Sequence, residues 1–521
     1  MFKASHPFSF FDYFRVPYEV RPLREENGSA GAAAFVRSLT PVARPGRSPR
    51  SLMWVGTDAR PAARSVAGQL GCYQLENFTF HGHVAPDAAV LAMLSRRGHG
   101  WYPAESIRRA DGHRAAAIWR DAEGNVFLPF DPSEVMRLYW SEEYRDVGRS
   151  ATAAFCRAAA LRGYYLVRPA MPRSVQVALR RLYAPVQAAS SFPKWPIEDS
   201  LHDFYDWLFG VISELAAEPV PFLGLWPVGR SWAMVLTHDV ETAAGYRDMD
   251  LLRAPERAYG YQSSWNFVGD RYPVDEETVR TLHDDGCEIG VHGLLHDGRD
   301  LAGRFIDERL PAMWEHASRW NAIGFRSPAT HRGWELMHRL GFDYDSSYTD
   351  TDPYEPQPGG CCTYLPYFNH GTVELPITLP QDHTLFAILR HADADLWLRK
   401  AEHIRDRGGM VLVLTHPDYA HDQRLAHGYQ TLLDTFADDG TAWRALPREV
   451  AAWWRGRAAS TIRGSGDGWS IEGPVSDTGQ VCFAGSCSTA GQIRLPSQTA
   501  TAGPSTAVTG SLTEYPDSGV A

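Results

Sequence analysis

Two histidines four residues apart, His292 and His296, are the first side chains whose types and spacing could do chemistry. Two imidazoles at this spacing can bind one metal ion. The spacing alone is weak evidence, because a chain with 20 histidines among 521 residues is expected to contain such a pair by chance. Gly290 and Gly293 flank His292 and allow close approach of the backbone, which favours a metal site over two capping or surface histidines.

Carboxylates for such a site are present in the sequence Thr-His-Asp-Val-Glu, which ends at Glu241. Residues two apart in an extended chain point to the same side, so Asp239 and Glu241 can face one site. One carboxylate could then bind the ion while the other stays free as a base. The alternative is that Asp239 caps the following helix and that Glu241 lies in its first turn.

An arginine and a further histidine also follow apolar runs. Arg326 lies in Gly-Phe-Arg-Ser-Pro and could hold a carboxylate base in place through a bidentate pair, with a surface salt bridge as the alternative. His416 follows the apolar run Met410–Thr415 and precedes a proline. Because imidazole titrates near neutral pH, His416 could act as a general acid, and the alternative is a hydrogen-bonded histidine at the rim of the fold.

The elements that must position these residues are short apolar runs that alternate with helical patterns. The predicted strands are Ala233–Thr237, Ser263–Val268, Glu288–His292, Gly324–Ser327, Asp343–Tyr348, Val373–Ile377, Met410–Thr415 and Ala442–Leu446. The predicted helices are Asp275–Asp285, Leu301–Trp320, Gly333–Leu340, Asp393–Arg407, Gln423–Ala437 and Arg448–Arg457. Such alternation predicts a parallel sheet, and seven or eight units predict a barrel. Asp239, His292, Arg326 and His416 stand at the carboxyl ends of four strands, where a βα barrel assembles its catalytic groups.

The motifs THDVE, HGLLH, GFRSPAT, GFDYDSSY and VLTHPDY, in this order, resemble those of the polysaccharide deacetylase (NodB-homology) family. The resemblance covers roughly residues 226–454, which is under half of the chain. It implies an α/β fold, a distorted (β/α)7 barrel of the deacetylase type. It also implies a hydrolase that removes acyl groups, mostly N-acetyl, from sugars.

The same resemblance implies a metal site. His292 and His296 match the two histidine ligands of the family, and the ion is divalent, with zinc as the default. The family usually has Thr-Phe-Asp-Asp in its first motif, where the second Asp is a ligand. Val240 stands at that position here, so Glu241 would take over as the ligand from one residue further on.

Catalytic roles follow from the resemblance in the same way. Asp239 matches the base, Arg326 matches the arginine that orients the base, and His416 matches the catalytic histidine. Thr330 stands where the family usually has a glycine after the proline of its third motif.

Four further residues are predicted to bind substrate: Trp334, Asp345, Tyr348 and His383. Asp345 matches the fourth motif of the family. The aromatic side chains, together with the loop Thr349–Tyr367, could form a wall of the substrate site, because aromatic faces suit sugar rings. Plain packing of the loop is the alternative.

The sequence thus predicts a metal-dependent hydrolase that removes an acyl group, N-acetyl in the first instance, from a sugar or glycan precursor. Two alternatives stay open. One is an amidohydrolase-like enzyme that hydrolyses a C–N bond in an amide outside sugars. The other is a catalytically inactive carbohydrate-binding protein, since the metal motif is altered at Val240.

The chain is longer than one hydrophobic core usually covers, so more than one domain is expected. Composition predicts four parts: residues 1–190 as a smaller mixed α/β N-terminal accessory domain, 191–225 as a connecting arm, 226–457 as the deacetylase-like barrel, and 458–521 as a mostly flexible tail rich in Ser, Thr and Gly. Smaller predictions are a strand at Ser51–Val55, a hairpin at Ala115–Phe130, helices at Ala151–Leu161 and Asp199–Ala217, and a strand or two within Trp469–Phe483.

Charge and cysteine usage limit the partners and the compartment. A net charge of −11 argues against general affinity for nucleic acid or for an anionic membrane. No apolar stretch approaches the length of a membrane span, and the first 20 residues do not have the pattern of a signal peptide. Seven scattered cysteines indicate a reduced, cytoplasmic setting. The predicted partner is a carbohydrate substrate, and the sequence favours no particular oligomeric state.

Overall fold

The computed structural model describes residues 8–21, 36–42, 50–57, 68–95, 100–147, 171–465 and 468–484. Its α-helices are α1 (Ser9–Phe14), α2 (Asp87–Leu94), α3 (Pro132–Trp140), α4 (Arg173–Ala188), α5 (Ser200–Ala216), α6 (Ala243–Arg247), α7 (Asp250–Ala258), α8 (Glu276–Asp284), α9 (Arg304–Trp320), α10 (Trp334–Met337), α11 (Asp395–Asp406), α12 (Gln423–Thr435) and α13 (Pro447–Ala458). Short 3-10 turns occupy Glu143–Asp146, Pro328–Thr330, His338–Leu340 and Pro417–Tyr419, and a π-helix occupies His383–Ile388.

The first sheet is formed by the chain before residue 130. Its strands are β1 (Tyr18–Val20), β2 (Val36–Pro41), β3 (Leu52–Val55), β4 (Gln69–Leu75), β5 (Phe78–Val84), β6 (Tyr102–Arg109), β7 (Arg114–Arg120) and β8 (Val126–Leu128), in the order β1-β2-β3-β8-β7-β6-β4-β5. The predicted strand at Ser51–Val55 is found as β3. The predicted hairpin at Ala115–Phe130 is found as β7 and β8, which pair antiparallel. The helix predicted at Ala151–Leu161 lies outside the described residues.

The second sheet carries the candidate catalytic residues. Its strands are β10 (Trp232–Val240), β11 (Ser263–Phe267), β12 (Glu288–Val291), β13 (Gly324–Phe325), β14 (Tyr344–Asp345), β15 (Tyr367–Asn369), β16 (Thr372–Glu374), β17 (Met410–Thr415) and β18 (Ala442–Arg444). The order is β15-β16-β14-β13-β12-β11-β10-β17, and β18 also pairs with β10. Neighbouring strands are parallel, except that β15 is antiparallel to β16.

This second sheet is curled. The segment that follows β16 returns toward β17, where Thr378 N donates to Leu412 O at 3.2 Å and Leu412 N donates to Thr378 Oγ1 at 2.7 Å. Strands β10 and β17 are buried along their whole length, as continuous apolar runs in parallel sheets usually are. The structure is thus a mixed α/β fold in which the carboxyl ends of the parallel strands converge on one region.

The predicted elements of this segment are found with shifted ends. Strand β14 is only two residues long because the chain leaves the sheet early, whereas β10 runs through Asp239 to Val240, three residues beyond its predicted end. Helices α6 and α7 lie between β10 and β11 and were not predicted. They are short, and Pro255 inside α7 hides the periodicity of a longer helix.

The predicted connecting arm contains a central element of the core. Nearly every residue of α5 is buried, and the helix contacts β2 and β5 of the first sheet and also β9 (Val220–Leu223). One cluster of buried apolar side chains runs from α1 through α5 to the strands of the second sheet. The helix therefore joins the two sheets through shared packing and is more than a linker.

The chain after residue 458 is folded as far as the structure describes it. It forms β19 (Thr461–Ser465), β20 (Gly468–Glu472) and β21 (Val481–Ala484). Strand β21 pairs antiparallel with β9, and Ile462, Val475 and Ala484 are buried. The strand or two predicted within Trp469–Phe483 are found as β20 and β21, and the sparse apolar residues of this part reach a core formed by distant chain. Residues 485–521 lie outside the described residues.

Cysteine and helix composition give two further findings. Cys72, Cys287, Cys361, Cys362 and Cys482 have free thiols. None of the described helices is long and apolar enough to cross a membrane. The cytoplasmic setting stays a prediction that cell fractionation can test.

A buried ion pair connects the chain after α3 with the motif around Arg326. Glu142 Oε1 accepts from Arg332 Nη2 at 2.5 Å and from Nε at 3.0 Å, and both side chains are almost fully buried. We expect Glu142→Gln to lower the free energy of unfolding by about 3 kcal/mol, because it leaves a buried guanidinium without its counter-charge. Chemical denaturation measures this change. The control is Glu143→Gln, which breaks a partly exposed pair with Arg137 and should change stability by less than about 1 kcal/mol. Equal effects of the two variants would contradict the prediction.

Candidate active site

The polar side chains at the carboxyl ends of four strands meet in the structure. Asp239 is the penultimate residue of β10, while His292, Arg326 and His416 directly follow β12, β13 and β17. Asp239 Oδ2 lies 3.6 Å from His292 Nδ1, and Asp239 Oδ1 lies 3.4 Å from Arg326 Nη1. All four side chains are buried. The structure therefore brings together the side chains that were predicted to converge at the strand ends.

Glu241, His292 and His296 form a group that could hold a metal ion. One ligand atom from each side chain lies within 4.8 Å of the others. Nε2 of His296 is 3.0 Å from Oε1 of Glu241. His292 is buried, whereas Glu241 and His296 are half-buried, so the group is reached from the side of Glu241 and His296.

The tautomer of His292 fits a ligand role. Its Nδ1 lies 3.1 Å from the carbonyl oxygen of Arg326, which can only accept a hydrogen bond. Nδ1 therefore carries the proton, and Nε2 keeps its lone pair for an ion. Burial lowers the pKa of His292 to about 4, which keeps the ring neutral at physiological pH.

His296 is held by the turn that follows β12. Its backbone has φ of 53°, and its N–H donates to Asp300 Oδ2 at 3.0 Å. Nε2 is buried and has no hydrogen bond of normal geometry among the described residues, which fits a nitrogen left for a metal ion. The close approach predicted at the glycines is confirmed: a Cβ on Gly290 would lie 2.1 Å from Asn266 Oδ1, and one on Gly293 would lie 2.6 Å from Asp300 Oδ2.

The displaced carboxylate of the first motif reaches the two histidines. Glu241 follows the end of β10, and its backbone N–H donates to Asp418 Oδ2 at 2.9 Å. Burial acts to raise the pKa of Glu241, but His296 outweighs it and holds that pKa well below the usual range. The capping alternative is excluded, because α6 begins only at Ala243 and Thr242 caps it.

Asp239 is an ionised carboxylate and is not a member of the group that could hold a metal ion. Asn266 Nδ2 donates to Asp239 Oδ1 at 2.9 Å. Burial acts to raise the pKa of Asp239, but His292 and Arg326 outweigh it and lower that pKa. Asn266 was missed in the sequence, although it is a polar residue near the end of β11 and directly beside Asp239 in the parallel register.

Arg326 does not form the predicted bidentate pair with the carboxylate of Asp239. Its only contact with Asp239 is the one at 3.4 Å, whereas Nη1 donates to Thr237 Oγ1 at 2.8 Å and Nη2 donates to Ser346 Oγ at 2.7 Å. The guanidinium is 1% exposed, which excludes the surface salt bridge. Its charge still favours an ionised Asp239, but its orientation is set by hydroxyl groups of β10 and of the chain after β14.

His416 is paired with Asp382, a partner that the sequence did not assign to it. Its Nδ1 lies 2.6 Å from Asp382 Oδ1, and its backbone N–H donates to Asp382 Oδ2 at 2.7 Å. Burial acts to lower the pKa of His416, but Asp382 outweighs it and raises that pKa to about 10. His416 is therefore protonated at neutral pH, as a general acid must be before it donates.

We expect Asp382→Asn to move the alkaline loss of activity to lower pH. His416 must be protonated to donate, so activity is present below its pKa and is lost as pH rises through it. Without Asp382 that pKa falls toward about 6.5, and kcat/KM at pH 8.5 should fall by roughly ten- to a hundredfold, with a smaller loss at pH 6. A pH profile of kcat/KM measures this. Asp395→Asn, an exposed aspartate of α11, serves as the control. An unchanged alkaline limb would contradict the role of Asp382.

Thr330 keeps the backbone conformation that a glycine would adopt easily. Ala329 and Thr330 have φ of 55° and 50° in the turn after Arg326. A β-branched residue there costs on the order of 1 kcal/mol or more. Thr330 therefore adopts here a conformation that a glycine would adopt at lower cost.

Two of the predicted substrate residues are buried among protein groups. Asp345 Oδ1 accepts a hydrogen bond from Ser347 Oγ at 2.7 Å. Burial raises the pKa of Asp345, whose carboxyl group is also hydrogen-bonded to Glu374. Tyr348 is 1% exposed, and the guanidinium of Arg332 lies 5.3 Å from the centre of its ring. These contacts give both side chains a part in packing, and their substrate role stays a prediction.

The other two predicted substrate residues lie in different places. His383 lies near His416, because its ring is 5.0 Å from that of Tyr419, which is 5.5 Å from that of His416. Trp334 instead stacks beside Tyr367, with centroids 6.4 Å apart. The structure thus brings His383 to the site, whereas the ring contacts of Trp334 lie elsewhere.

The loop Thr349–Tyr367 is mostly buried. Thr351 Oγ1 donates to Lys194 O at 2.8 Å, and the ring of Tyr364 stacks on that of His202 with centroids 3.5 Å apart. These contacts favour the packing alternative for much of the loop.

A second group of possible metal ligands lies at the surface. Glu335, His338 and His370 also place ligand atoms within 4.8 Å of one another. Glu335 and His370 are exposed, so water competes for their polar atoms. This arrangement has weaker support as a metal site than the half-buried group at Glu241.

Comparison with known proteins finds a likeness among solved structures. No protein-family model and no curated protein matches the chain. A structure named as a polysaccharide deacetylase from Mycobacterium smegmatis is 20% identical and covers 44% of this chain and 92% of its own, with a TM-score of 0.36. Another so named, from Pseudomonas aeruginosa PAO1, is 15% identical and covers 46% and 95%, with a TM-score of 0.35. PuuE allantoinase is 14% identical and covers 45% and 93%, with a TM-score of 0.36. These structures match over about the same share of the chain as the motifs cover.

Proposed function

We propose that residues 226–457 form a metal-dependent hydrolase that removes an acyl group, N-acetyl in the first instance, from a sugar or glycan precursor. One observation carries the proposal. The ligand atoms of Glu241, His292 and His296 lie within 4.8 Å of one another, and Asp239 contacts His292 on one side of them. The positive charge of His416 interacts with the carboxylates of Glu241 and Asp239.

The donor set fits a divalent ion, and zinc is the metal we propose. Two imidazoles and one carboxylate are the ligands of many hydrolytic zinc sites, which leave a position open. The lone pair left on Nε2 of His292, and Nε2 of His296 at 3.0 Å from Oε1 of Glu241, support this fit. When bound, the ion would supply Lewis acidity toward the acyl carbonyl and would lower the pKa of water.

The protein residues divide the proton transfers between them. Asp239 is ionised and takes the proton of the attacking water, while Asn266 and the charge of Arg326 keep it ionised and in place. His416 is protonated and donates to the departing amine of the sugar. Asp382 binds Nδ1 of the imidazole at 2.6 Å, which leaves Nε2 as the nitrogen that donates.

The fold that supports this chemistry is, in our proposal, a distorted (β/α)7 barrel. Parallel pairing from β17 through β10 to β16, together with the hydrogen bonds between Thr378 and Leu412, supports a nearly closed sheet. We propose the residues before 190 as an accessory domain and 191–225 as the chain that joins it to the barrel. The buried position of α5 supports a tight association of the two.

Release of acetate from acetylated saccharides tests the function. Purified full-length protein loaded with zinc should release acetate from N-acetylglucosamine oligomers. Hydrolysis of allantoin or simple amides in place of sugars would support the amide alternative. Binding of the oligomers without release of acetate at any zinc concentration would support the inactive binding protein and contradict the proposal.

A further inference from the structure

Three side chains of metal-binding types meet at the edge of the second sheet, outside the motifs and outside the proposed catalytic centre. Glu335 belongs to α10, His338 begins the 3-10 turn after it, and His370 lies in the turn between β15 and β16. One ligand atom from each side chain lies within 4.8 Å of the others. The hydrolysis proposed above uses none of the three.

The ligand atoms are close to the spacing that one ion requires. Glu335 and His338 are three residues apart on a helical stretch, so their side chains are neighbours on one face. Nε2 of His370 lies 3.8 Å from Oε2 of Glu335, and the ring centres of His370 and His338 are 4.1 Å apart. With bonds of about 2.0–2.1 Å, two ligands of a tetrahedral zinc ion are about 3.3 Å apart. Small rotations of the side chains therefore bring these atoms to ligand distances.

Hydrogen bonds fix the backbone on both sides of the ligands. Nδ2 of Asn369, a buried side chain, donates to the carbonyl oxygen of Trp334 at 2.8 Å, which joins the residue before His370 to the residue before Glu335. Arg455 Nη1 of α13 donates to Gly371 O at 2.8 Å, directly after His370. An ion bound by this group would therefore order side chains alone, which keeps the entropy cost of binding low.

The three side chains make no hydrogen bond within the part of the chain that the structure describes. Other histidines near the surface differ in this respect. His316 and His421 lie 2.8 and 3.0 Å from aspartate oxygens and form ordinary hydrogen-bonded pairs. The 3.8 Å between His370 and Glu335 is too long for such a pair. An ion can therefore bind here without breaking a hydrogen bond of the described residues.

The donor set selects the kind of ion. Two imidazoles and one carboxylate suit zinc, nickel and copper, whereas magnesium and calcium prefer oxygen ligands. The carboxylate of Glu335 favours a cation over an anion. Because Glu335 and His370 are exposed, an ion reaches the group directly from solvent, and water can fill its remaining positions.

We propose that Glu335, His338 and His370 bind a second divalent transition-metal ion, which links the hairpin of β15 and β16 to α10. The two exposed ligands make this ion exchangeable, so dialysis against metal-free buffer removes it and added metal restores it. The site goes beyond the proposed hydrolysis and does not depend on it.

Equilibrium dialysis of the full-length protein against zinc, after dialysis in metal-free buffer, tests the site. We expect one equivalent beyond that of the catalytic centre, and none when magnesium replaces zinc. His370→Ala and Glu335→Gln should each weaken binding of this further equivalent by at least about tenfold, because even the loss of a residue that supports a ligand costs that much. The matched control is His427→Ala, which removes an exposed histidine of α12 and should leave zinc binding unchanged.

Hydrogen exchange tests the link between the hairpin and α10. Zinc should slow the exchange of amide hydrogens in residues 367–374 of the natural protein, because opening of the hairpin would then break bonds to the ion. The same residues of His370→Ala should exchange at one rate with and without zinc. Exchange in the natural protein that does not respond to zinc would overturn the link.

The outcomes separate this site from the catalytic one. Loss of the further equivalent in His370→Ala and Glu335→Gln, with His427→Ala equal to the natural protein, supports the site even if no acetate is ever released. A further equivalent that survives both variants overturns it, and so does the absence of a further equivalent at about 1 mM zinc. A single equivalent that His370→Ala loses and His292→Ala keeps would support this site and contradict the catalytic centre. Circular dichroism of all variants checks that the fold is retained.

Discussion

His292→Ala is expected to remove the bound metal and to abolish hydrolysis. His292 is the buried member of the ligand group, and its tautomer is set by the carbonyl of Arg326, so no nearby side chain can replace it. Metal content should fall from near one equivalent per chain to background. The rate of acetate release should fall by roughly a thousandfold or more, because water activation and charge stabilisation are both lost.

Elemental analysis of the purified protein, together with acetate release, measures both effects. His421→Ala is the matched control, because this histidine is 73% exposed and pairs with Asp248 at the surface. It should keep both metal and activity. Retention of the metal by His292→Ala would show that the ion is bound elsewhere, for example by the surface group at Glu335, and would contradict the proposed centre.

Asp239→Asn is expected to lower kcat by about a thousandfold while the metal is retained, because an amide cannot accept the proton of water. The carboxylate of Asp239 is held by Asn266 and Arg326 and is not a member of the ligand group. Glu241→Gln should behave differently and lose metal. This contrast separates the base from the ligand, two roles that the sequence places only two residues apart.

Single-turnover kinetics with zinc at saturation, and metal content after dialysis, measure this contrast. Asp250→Asn, an exposed residue of α7, is the control for loss of one carboxylate. Loss of metal from Asp239→Asn, with metal kept by Glu241→Gln, would reverse the two roles. Asn at position 239 keeps the shape of the side chain, so a normal thermal midpoint is expected.

Local pattern in the sequence predicted the placement of most candidate residues. Strands such as Met410–Thr415 are continuous apolar runs, and a polar residue that ends such a run must lie where the strand leaves the core. The period of two in an extended chain likewise placed Asp239 and Glu241 on one side. The same rule applied to β11 would have found Asn266.

Other parts of the site depend on contacts between distant segments. Asp382 reaches His416 across 34 residues, and nothing in its neighbours in the sequence indicates that partner. Thr237 of β10 and Ser346, which follows β14, set the orientation of Arg326. The sequence alone therefore could not show whether the expected bidentate pair with Asp239 forms.

The sequence by itself determined the alternation of strands and helices, the residues at the strand ends and their order along the chain. It did so because hydrophobic periodicity and backbone direction are local properties. Only the tertiary structure decided that Glu241 reaches both histidines and that His416 is kept protonated. It also showed that the described residues between 461 and 484 join the core. These features depend on which distant groups become neighbours in a water-poor interior, where burial and charge set each pKa and each hydrogen bond.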